Sequence, residues 1–253
     1  MLTTNTAVIL AAGLGTRLNS VSGFLPKPLV RFEGIPLLQH VMSAAQQAGI
    51  DRFVIVVGHQ GEMVRRWFAG SSLRATPVTW VDNSEYHKSN GISLLKARHA
   101  VDRPFLLLMS DHIFEPETAE SLLRQRLAKN EVILGVDHKL DCIFDLDDAT
   151  KVVRMGDYII RLGKNLKTYD AIDTGMFLCA PAVFDALDVA MKDGNCSLSD
   201  GMQYLASQRK LRAYDIENAL WQDVDTPEML EFAQVQLSSQ LLHLQSVEEV
   251  AHV

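Results

Sequence analysis

The chain has 253 residues, of which 47% are apolar, which is enough for a sizeable core and excludes an intrinsically disordered protein. Its 24 basic and 31 acidic residues give a net charge of −7. That balance argues against a protein that coats nucleic acid or binds a membrane surface, and one large α/β domain or two small ones would fit the length.

Strands and helices alternate through the first half of the chain. The unbroken apolar run over 52–58 is typical of a buried parallel strand, and a helix opened by Pro36 and closed by Gly49 has the usual end residues. Strands are predicted at 6–12, 52–58, 77–81, 105–109 and 132–136, and helices at 36–49, 60–68, 91–101 and 116–129. This alternation predicts a Rossmann-like, doubly wound, mostly parallel sheet with right-handed crossovers.

The pattern changes after residue 137. Short strands are predicted at 150–155, 158–162 and 171–179, helices at 181–192 and 198–208, a strand at 211–216 and a closing helix at about 226–244. The closely spaced strands suggest a small β-rich insertion that covers one side of a site. The closing helix carries an apolar stripe, Leu230, Ala233, Leu237, Leu241 and Leu244, which favours packing on its own core or a contact in a homodimer.

Cysteine usage and the chain start indicate the compartment. Cys142, Cys179 and Cys196 form no Cys-x-x-Cys pair, which is typical of a reducing compartment without a zinc site or disulfide framework. Met1 leads almost directly into the first strand, with no basic leader region. No run reaches the ~18 apolar residues that span a bilayer. We therefore expect a cytoplasmic protein without membrane insertion.

The clearest functional pattern is a glycine loop at the end of the first strand. The strand runs into Gly13 and Gly15, and Arg17 and Lys27 follow closely. Glycines at the end of a buried strand present bare backbone N–H groups, which can hold phosphate oxygens. Two cations at the same edge strengthen the prediction of phosphate chemistry.

Spacing separates this loop from two better-known glycine loops. A dinucleotide-binding loop needs a third glycine where this chain has Leu18, which argues against a nicotinamide-dependent dehydrogenase. A Walker loop needs Gly-Lys-Ser/Thr at its end, and that sequence is missing here. A tight turn without a ligand stays open as a further interpretation.

Carboxylates follow two other strands. Asp111 stands at the end of an apolar strand, where a doubly wound sheet binds its ligands, and Asp225 precedes the last helix. Period-2 alternation predicts that Asp223 and Asp225 face one side and Val224 the other. Mg²⁺ uses one or two carboxylates together with substrate phosphates. A strand-end turn at Asp111 and a helix cap at Asp225 or Thr226 would also fit, and His112 is expected to be a hydrogen-bonded neighbour.

Several motifs together resemble one enzyme family. The segments 11–17 and 26–29 look like the signature of the nucleotidyltransferases that activate sugar phosphates and similar small phosphates. The later segments 109–112, 148–152, 163–167 and 172–175 most resemble the CTP:inositol-1-phosphate cytidylyltransferase domain. Similar domains activate phosphocholine and alkylphosphonates. A sugar-1-phosphate enzyme that uses another nucleotide, and a non-catalytic nucleotide-binding regulator, also fit these motifs.

The resemblance implies a role for each candidate residue. Arg17 and Lys27 would be catalytic, with Arg17 on the β- and γ-phosphates and Lys27 on the α-phosphate of CTP. Asp111 and Asp225 would hold Mg²⁺. The nucleotide contacts would be Leu10, Ala11, Ala12, Gly13, Gly15, Thr16, Asn90 and Ser93. The acceptor contacts would be Lys164, Asp173 and Lys139, although Asp173 could be purely structural and Lys139 a solvated surface lysine.

We therefore expect a single domain over 1–253. Residues 1–136 would form the nucleotide-binding half, residues 137–225 the acceptor part and residues 226–246 the C-terminal helix. The expected partners are CTP or another nucleoside triphosphate and a small phosphate or phosphonate, with no nucleic acid.

Overall fold

The structure, a computed structural model, describes residues 3–18 and 23–235. The strands are β1 (Thr6–Ala11), β2 (Arg31–Phe32), β3 (Ile35–Pro36), β4 (Arg52–Val57), β5 (Val78–Asp82), β6 (Phe105–Met109), β7 (His112–Phe114), β8 (Val132–Asp137), β9 (Lys151–Met155), β10 (Tyr158–Gly163), β11 (Ala171–Cys179), β12 (Leu211–Asp215) and β13 (Trp221–Asp223). The helices are α1 (Leu37–Gln47), α2 (Gly61–Gly70), α3 (Asn90–Lys96), α4 (Pro116–Leu123), α5 (Val183–Ala190) and α6 (Leu198–Ser207). Residues 227–235 are also helical.

Nine strands form one mixed sheet in the order β5-β4-β1-β6-β11-β8-β12-β10-β9. The strands β5, β4, β1 and β6 are parallel, as are β8 and β12, whereas β11 and β10 run against their neighbours. The chain moves from β1 to β4 on one side and later returns to β6 on the other. This is the predicted doubly wound α/β arrangement, with its switch point between β1 and β6.

Alternating side chains of the sheet fill two cores. In β1, Val8 and Leu10 join the core under α3, α5 and α6, while Ala7 and Ile9 join the core under α1, α2 and α4. A strand buried on both faces cannot carry polar side chains, which explains the unbroken apolar sequence of β1.

The β-rich insertion is smaller than the sequence predicts. Residues 171–179 form β11, which lies inside the main sheet between β6 and β8. Nearly all of β11 is buried, because helices cover both of its faces. Only the β9–β10 hairpin is added at the edge of the sheet.

Two helices are shorter than predicted. The helix predicted over 116–129 ends at Leu123, where the Thr3 amide donates to the Leu123 carbonyl at 2.8 Å and the Thr3 hydroxyl donates to the Gln125 carbonyl at 2.7 Å. The helix predicted over 91–101 ends at Lys96 and continues as a separate 3-10 turn. At the end of α4, these hydrogen bonds from Thr3 take the place of the next helical turn.

The described part of the closing helix packs on its own domain. Ala233 and Val224 are fully buried in a small core with Leu18, Phe32 and Leu37, and Leu230 packs against it. The remaining stripe residues Leu237, Leu241 and Leu244 lie outside the described residues.

Candidate functional site

A cavity of about 510 Å³ opens at the carboxyl ends of β1 and β6. This is the switch point of the sheet, where ligands of doubly wound proteins bind. Its walls come from the glycine loop, the start of α3, the end of β6, the turn after β10 and β11. The volume is that of an ordinary small-molecule site.

The glycine loop lies directly on the cavity and packs against Lys27. Gly15 has a φ of +63°, and a Cβ there would lie 2.6 Å from the Lys27 Cβ, so this position requires glycine. In the described part of the chain, no group accepts a hydrogen bond from the amides of Gly13 and Gly15. These donors can therefore hold an anion.

The Lys27 ammonium lies between two carboxylates. It contacts Asp111 Oδ2 and Asp225 Oδ1, and its side chain is only 10% exposed. Burial by itself lowers the pKa of Lys27, but Asp111 and Asp225 raise that pKa above its ordinary value. This lysine therefore carries its full charge at neutral pH.

A small strand pair brings the two carboxylates together. The strands β7 and β13 pair antiparallel, with His112 opposite Asp223, and the Val224 amide donates to the Asp111 carbonyl at 2.9 Å. Val224 points into the core, while Asp223 and Asp225 both line the cavity, as their alternation predicts.

Asp225 does not cap the helix that follows it. The Thr226 hydroxyl accepts the Met229 amide at 3.3 Å, so Thr226 takes that role. The Asp225 carboxylate instead contacts Lys27 and accepts from Arg17 Nη2 at 2.6 Å. Its geometry therefore favours a role in the cavity.

Arg17 joins the two sides of the cavity. Its Nη1 donates to Asp148 Oδ2 at 3.0 Å, while its Nη2 contacts Asp225. Asp148 Oδ1 in turn accepts from Lys164 Nζ at 2.5 Å. The bond from Lys164 lowers the pKa of Asp148, and Arg17 lowers it further.

His112 and Asp173 also line the cavity, and both are partly buried. His112 Nδ1 lies 2.7 Å from Asp111 Oδ1, and its ring stacks on Trp221 with the centroids 6.0 Å apart. Burial alone lowers the pKa of His112, but the Asp111 charge raises it above its usual value. Burial alone raises the pKa of Asp111, but Lys27 and His112 hold it well below its usual range.

A bulge in β11 turns Asp173 into the cavity. The register with β8 shifts between Asp173 and Phe177, and the Gly175 amide donates to Asp173 Oδ1 at 2.8 Å. Gly175 has a φ of +73°, and a Cβ there would lie 2.5 Å from His112 Nε2, so glycine is needed for this approach. Burial raises the pKa of Asp173 to about 6.

Hydrogen bonds orient the Asn83 side chain against Ser93 in the wall of the cavity at α3. Asn83 is 1% exposed, and its Oδ1 accepts the Glu85 amide at 2.9 Å, which places its Nδ2 against Ser93 Oγ at 2.9 Å. Ser93 Oγ is therefore an acceptor in that bond, and its own proton is left to donate. Asn90 Oδ1 accepts from the Leu198 amide at 2.9 Å, which ties α3 to α6.

Asp111 and Asp225 fit a magnesium ion. Both contact the same ammonium nitrogen, so their oxygens lie close together, and Mg²⁺ prefers hard oxygen ligands. Within residues 3–18 and 23–235, no group of three or more His, Cys, Asp or Glu side chains is arranged around a common metal position. Mg²⁺ can use one or two carboxylates with phosphates as further ligands.

Most predicted site residues line this cavity. They are Leu10, Ala12, Gly13, Gly15, Thr16, Arg17, Lys27, Asn90, Ser93, Asp111, Lys164, Asp173 and Asp225. Ala11 does not, because the alternation of β1 places its side chain in the opposite core. Lys139 does not either, because its ammonium contacts Asp137 Oδ1 at 2.8 Å and donates to the Glu217 carbonyl at 2.5 Å.

The structure adds residues to which the sequence analysis gave no role in the site. Asp145, Asp148, Asp223, Tyr86 and Lys88 also line the cavity. Asp148 begins the segment 148–152 that resembles the cytidylyltransferase domain, but the resemblance gave it no role of its own. Its two cationic partners show its importance, and Arg17 lies 131 positions away along the chain.

Solved structures show the class of this fold. The UDP-glucose pyrophosphorylase complexed with UDP-glucose matches with a TM-score of 0.79 at 17% identity over 95% of this chain and 100% of its own, which shows a common fold. The inositol-1-phosphate CTP transferase from T. maritima matches with a TM-score of 0.81 at 27% identity over 90% of this chain and 91% of its own.

The family follows from the sequence comparison. The model of the MobA-like NTP transferase domain matches residues 7–228, and this chain belongs to that family. A bifunctional IPC transferase and DIPP synthase from Rubrobacter xylanophilus is 36% identical over 231 residues, 90% of this chain and 51% of the relative. This chain thus spans about half the length of that relative.

A shorter match has a different acceptor in its name. The 2-aminoethylphosphonate cytidylyltransferase of Lancefieldella rimae is 35% identical over 160 residues, 59% of this chain and 60% of the relative. Separately, no helix within residues 3–18 and 23–235 has both the length and the hydrophobicity to cross a bilayer.

Proposed function

We propose that this protein is a cytidylyltransferase that moves CMP from CTP to a small phosphate acceptor of the inositol 1-phosphate type and releases pyrophosphate. One observation carries the proposal: Arg17, Lys27 and Lys164 meet in a single cavity at the switch point of the sheet. Two of these cations suit a triphosphate, and the third suits a second phosphate. The names of the similar proteins supply the base and the acceptor.

The reaction needs an arrangement of charges more than a general base. An oxygen of the acceptor phosphate attacks the α-phosphorus of CTP, and the bond from that phosphorus to the bridging oxygen of pyrophosphate breaks. A phosphate monoester already carries about −1.5 to −2 charges at neutral pH, so its oxygen needs no proton removed. The barrier comes from bringing two anions together, which positioned cations lower.

The residues divide this task. Arg17 would hold the β- and γ-phosphates with its planar guanidinium group. Lys27 would stay in contact with the α-phosphate while its charge changes during the reaction. Lys164 would hold the phosphate of the acceptor. Asp173, at the back of the cavity, would accept hydrogen bonds from acceptor hydroxyl groups.

Asp111 and Asp225 would hold Mg²⁺ in the loaded enzyme. The ion supplies charge neutralisation on the α-phosphate and on the leaving group. Lys27 lies between these carboxylates in the structure, so it would move toward the phosphate as the nucleotide binds.

The wall at α3 suits cytosine. Ser93 Oγ accepts from Asn83 Nδ2 and keeps its own proton to donate. Cytosine offers two acceptors on one edge, N3 and O2, whereas uracil carries a proton on N3. A hydroxyl that donates to N3 would therefore favour cytosine over uracil.

A matrix of nucleotides and acceptors tests the proposal. CTP, UTP and ATP are each combined with inositol 1-phosphate, 2-aminoethylphosphonate, phosphocholine and glucose 1-phosphate, and pyrophosphate is measured with and without Mg²⁺. We expect turnover with CTP, inositol 1-phosphate and Mg²⁺ together. Nucleotide binding without turnover for any pair would favour a regulator and contradict the proposal.

The phosphonate is the second candidate acceptor, because one relative carries it in its name. The acidic wall also suits an ammonium group, since Asp145, Asp148 and Asp173 all line the cavity. Preference for 2-aminoethylphosphonate over inositol 1-phosphate would keep the cytidylyltransferase and replace the acceptor.

A further inference from the structure

Asp148 occupies the place between the two proposed phosphate subsites. Its Oδ2 accepts from Arg17, the residue proposed for the nucleotide, at 3.0 Å. Its Oδ1 accepts from Lys164, the residue proposed for the acceptor, at 2.5 Å. One carboxylate thus engages both cations, as two separate phosphate groups would in the loaded enzyme.

The segment around Asp148 is held by its own contacts. The Asp148 amide donates to Asp145 Oδ1 at 3.2 Å, and Lys151 Nζ donates to the Asp147 carbonyl at 2.8 Å. The Asp173 amide donates to the Thr150 carbonyl at 2.9 Å, which ties the segment to β11. The Asp148 side chain itself is 37% exposed, so it can turn away without a loss of core packing.

We propose that Asp148 is a positioning residue that couples the two substrate subsites. This inference rests on the proposed function. Without substrates, the carboxylate neutralises Arg17 and Lys164 together. A triphosphate that captures Arg17 must displace one oxygen of Asp148, and an acceptor phosphate that captures Lys164 must displace the other.

Coupling follows because one side chain blocks two sites. The first phosphate to bind turns Asp148 away, so the second finds its cation already free. Each substrate should therefore strengthen the binding of the other, and by linkage the two effects must be equal. A lone anion such as pyrophosphate binds more weakly than it does when a second ligand is present, because it must displace Asp148 by itself.

Calorimetry with simple anions tests this without turnover. Inorganic triphosphate replaces the nucleotide and inorganic phosphate replaces the acceptor, both at a constant Mg²⁺ concentration. In the unaltered protein, saturating phosphate should strengthen triphosphate binding about fivefold. In Asp148→Asn, triphosphate alone should bind about fivefold more tightly, and phosphate should add less than twofold.

Asp147→Asn is the matched control. It removes the same charge from the adjacent position, where the side chain is exposed and does not line the cavity. It should behave as the unaltered protein does. Asp148→Ser serves as a second uncharged variant should Asp148→Asn fail to fold.

The outcomes separate this inference from the proposed function. Equal coupling in the unaltered protein and Asp148→Asn would overturn it, as would equal effects of Asp147→Asn and Asp148→Asn, which indicate general electrostatics. Coupling that depends on Asp148 supports it, whichever nucleotide and acceptor turn over. Failure of the cytidylyl transfer assay, by contrast, bears on the proposed function alone.

Discussion

The two sides of the cavity are built in different ways. On the side of β1 and β6, parallel strands end in a glycine loop that lines the cavity. Backbone groups therefore form much of this wall. On the opposite side, Lys164 and Asp148 reach in from turns around the antiparallel strands β9 and β10. The comparison teaches that one side of the cavity is built on the end of the parallel sheet, whereas the other is built from side chains on turns that can vary without disturbing the sheet.

The largest expected effect is on the β6 side. Asp111→Asn should lower kcat by about 100- to 1,000-fold, because it removes the metal contact that we propose for the transition state. Pyrophosphate release measures it, and thermal melting checks the fold. Asp102→Asn, an exposed position before the same strand, is the control and should stay near the unaltered rate. A near-normal rate for Asp111→Asn would remove this residue from the metal site.

Arg17→Lys should lower kcat/KM by about 10- to 100-fold. The two terminal nitrogens of Arg17 contact different carboxylates, and a single ammonium cannot take both positions. Steady-state kinetics with CTP measures the effect, and Arg52→Lys, 72% exposed, is the control. Kinetics equal to those of the unaltered protein would show that Arg17 does not hold phosphates with its fork.

Lys164→Ala sharpens the comparison between the two sides. It should raise the KM for the acceptor about tenfold and change the KM for CTP by much less. Lys167→Ala, in the same turn but outside the cavity lining, should change neither. An equal rise in both KM values would mean that the two sides do not divide the substrates as we propose.

The smallest effect concerns stability. The pKa of Asp173 is about 6 in the folded protein against an ordinary value of 3.8, so the folded state holds this proton longer than the unfolded chain. Its contribution to the free energy of unfolding is therefore present at low pH and is lost as the pH rises from about 4 to 6.

Asp173→Asn removes the carboxyl group that titrates. The part of the free energy of unfolding that is lost as the pH rises from about 4 to 6 should therefore not be lost in this variant. Relative to the unaltered protein without substrates, the variant should gain about 2 kcal/mol between pH 4 and pH 7 in urea unfolding. Asp157→Asn, at an exposed turn, should show no such gain. A constant difference between Asp173→Asn and the unaltered protein would mean that Asp173 does not titrate in this range.

The side of β1 could be predicted well from the sequence. A buried strand that ends in glycine has a local pattern, so the loop, Lys27 and Asp111 were found at the cavity. Ala11 does not line the cavity, because the alternation of β1 places its side chain in the opposite core, and the motif alone does not show this. Lys139 does not line the cavity either, because the charge of Asp137, two positions before it, holds its ammonium.

The opposite side could be predicted only in part. Lys164 was found by its motif, but the sequence carries no sign that Asp148 bridges it to Arg17. The pairing of β7 with β13, which sets Asp225 beside Asp111, joins segments about a hundred positions apart with only three residues each. Such short strands have too few residues for a periodic pattern.

The amino-acid sequence by itself determined the family, the doubly wound core and the glycine loop at the end of β1. These follow from local periodicity and from Gly15, whose positive φ and close approach to Lys27 require glycine. The tertiary structure alone decided which charges meet: Lys27 between two aspartates, and Asp148 between Arg17 and Lys164. The reason is physical. An ion pair between distant segments depends on how both loops pack on the sheet, and the residues next to either partner in the sequence do not determine that packing.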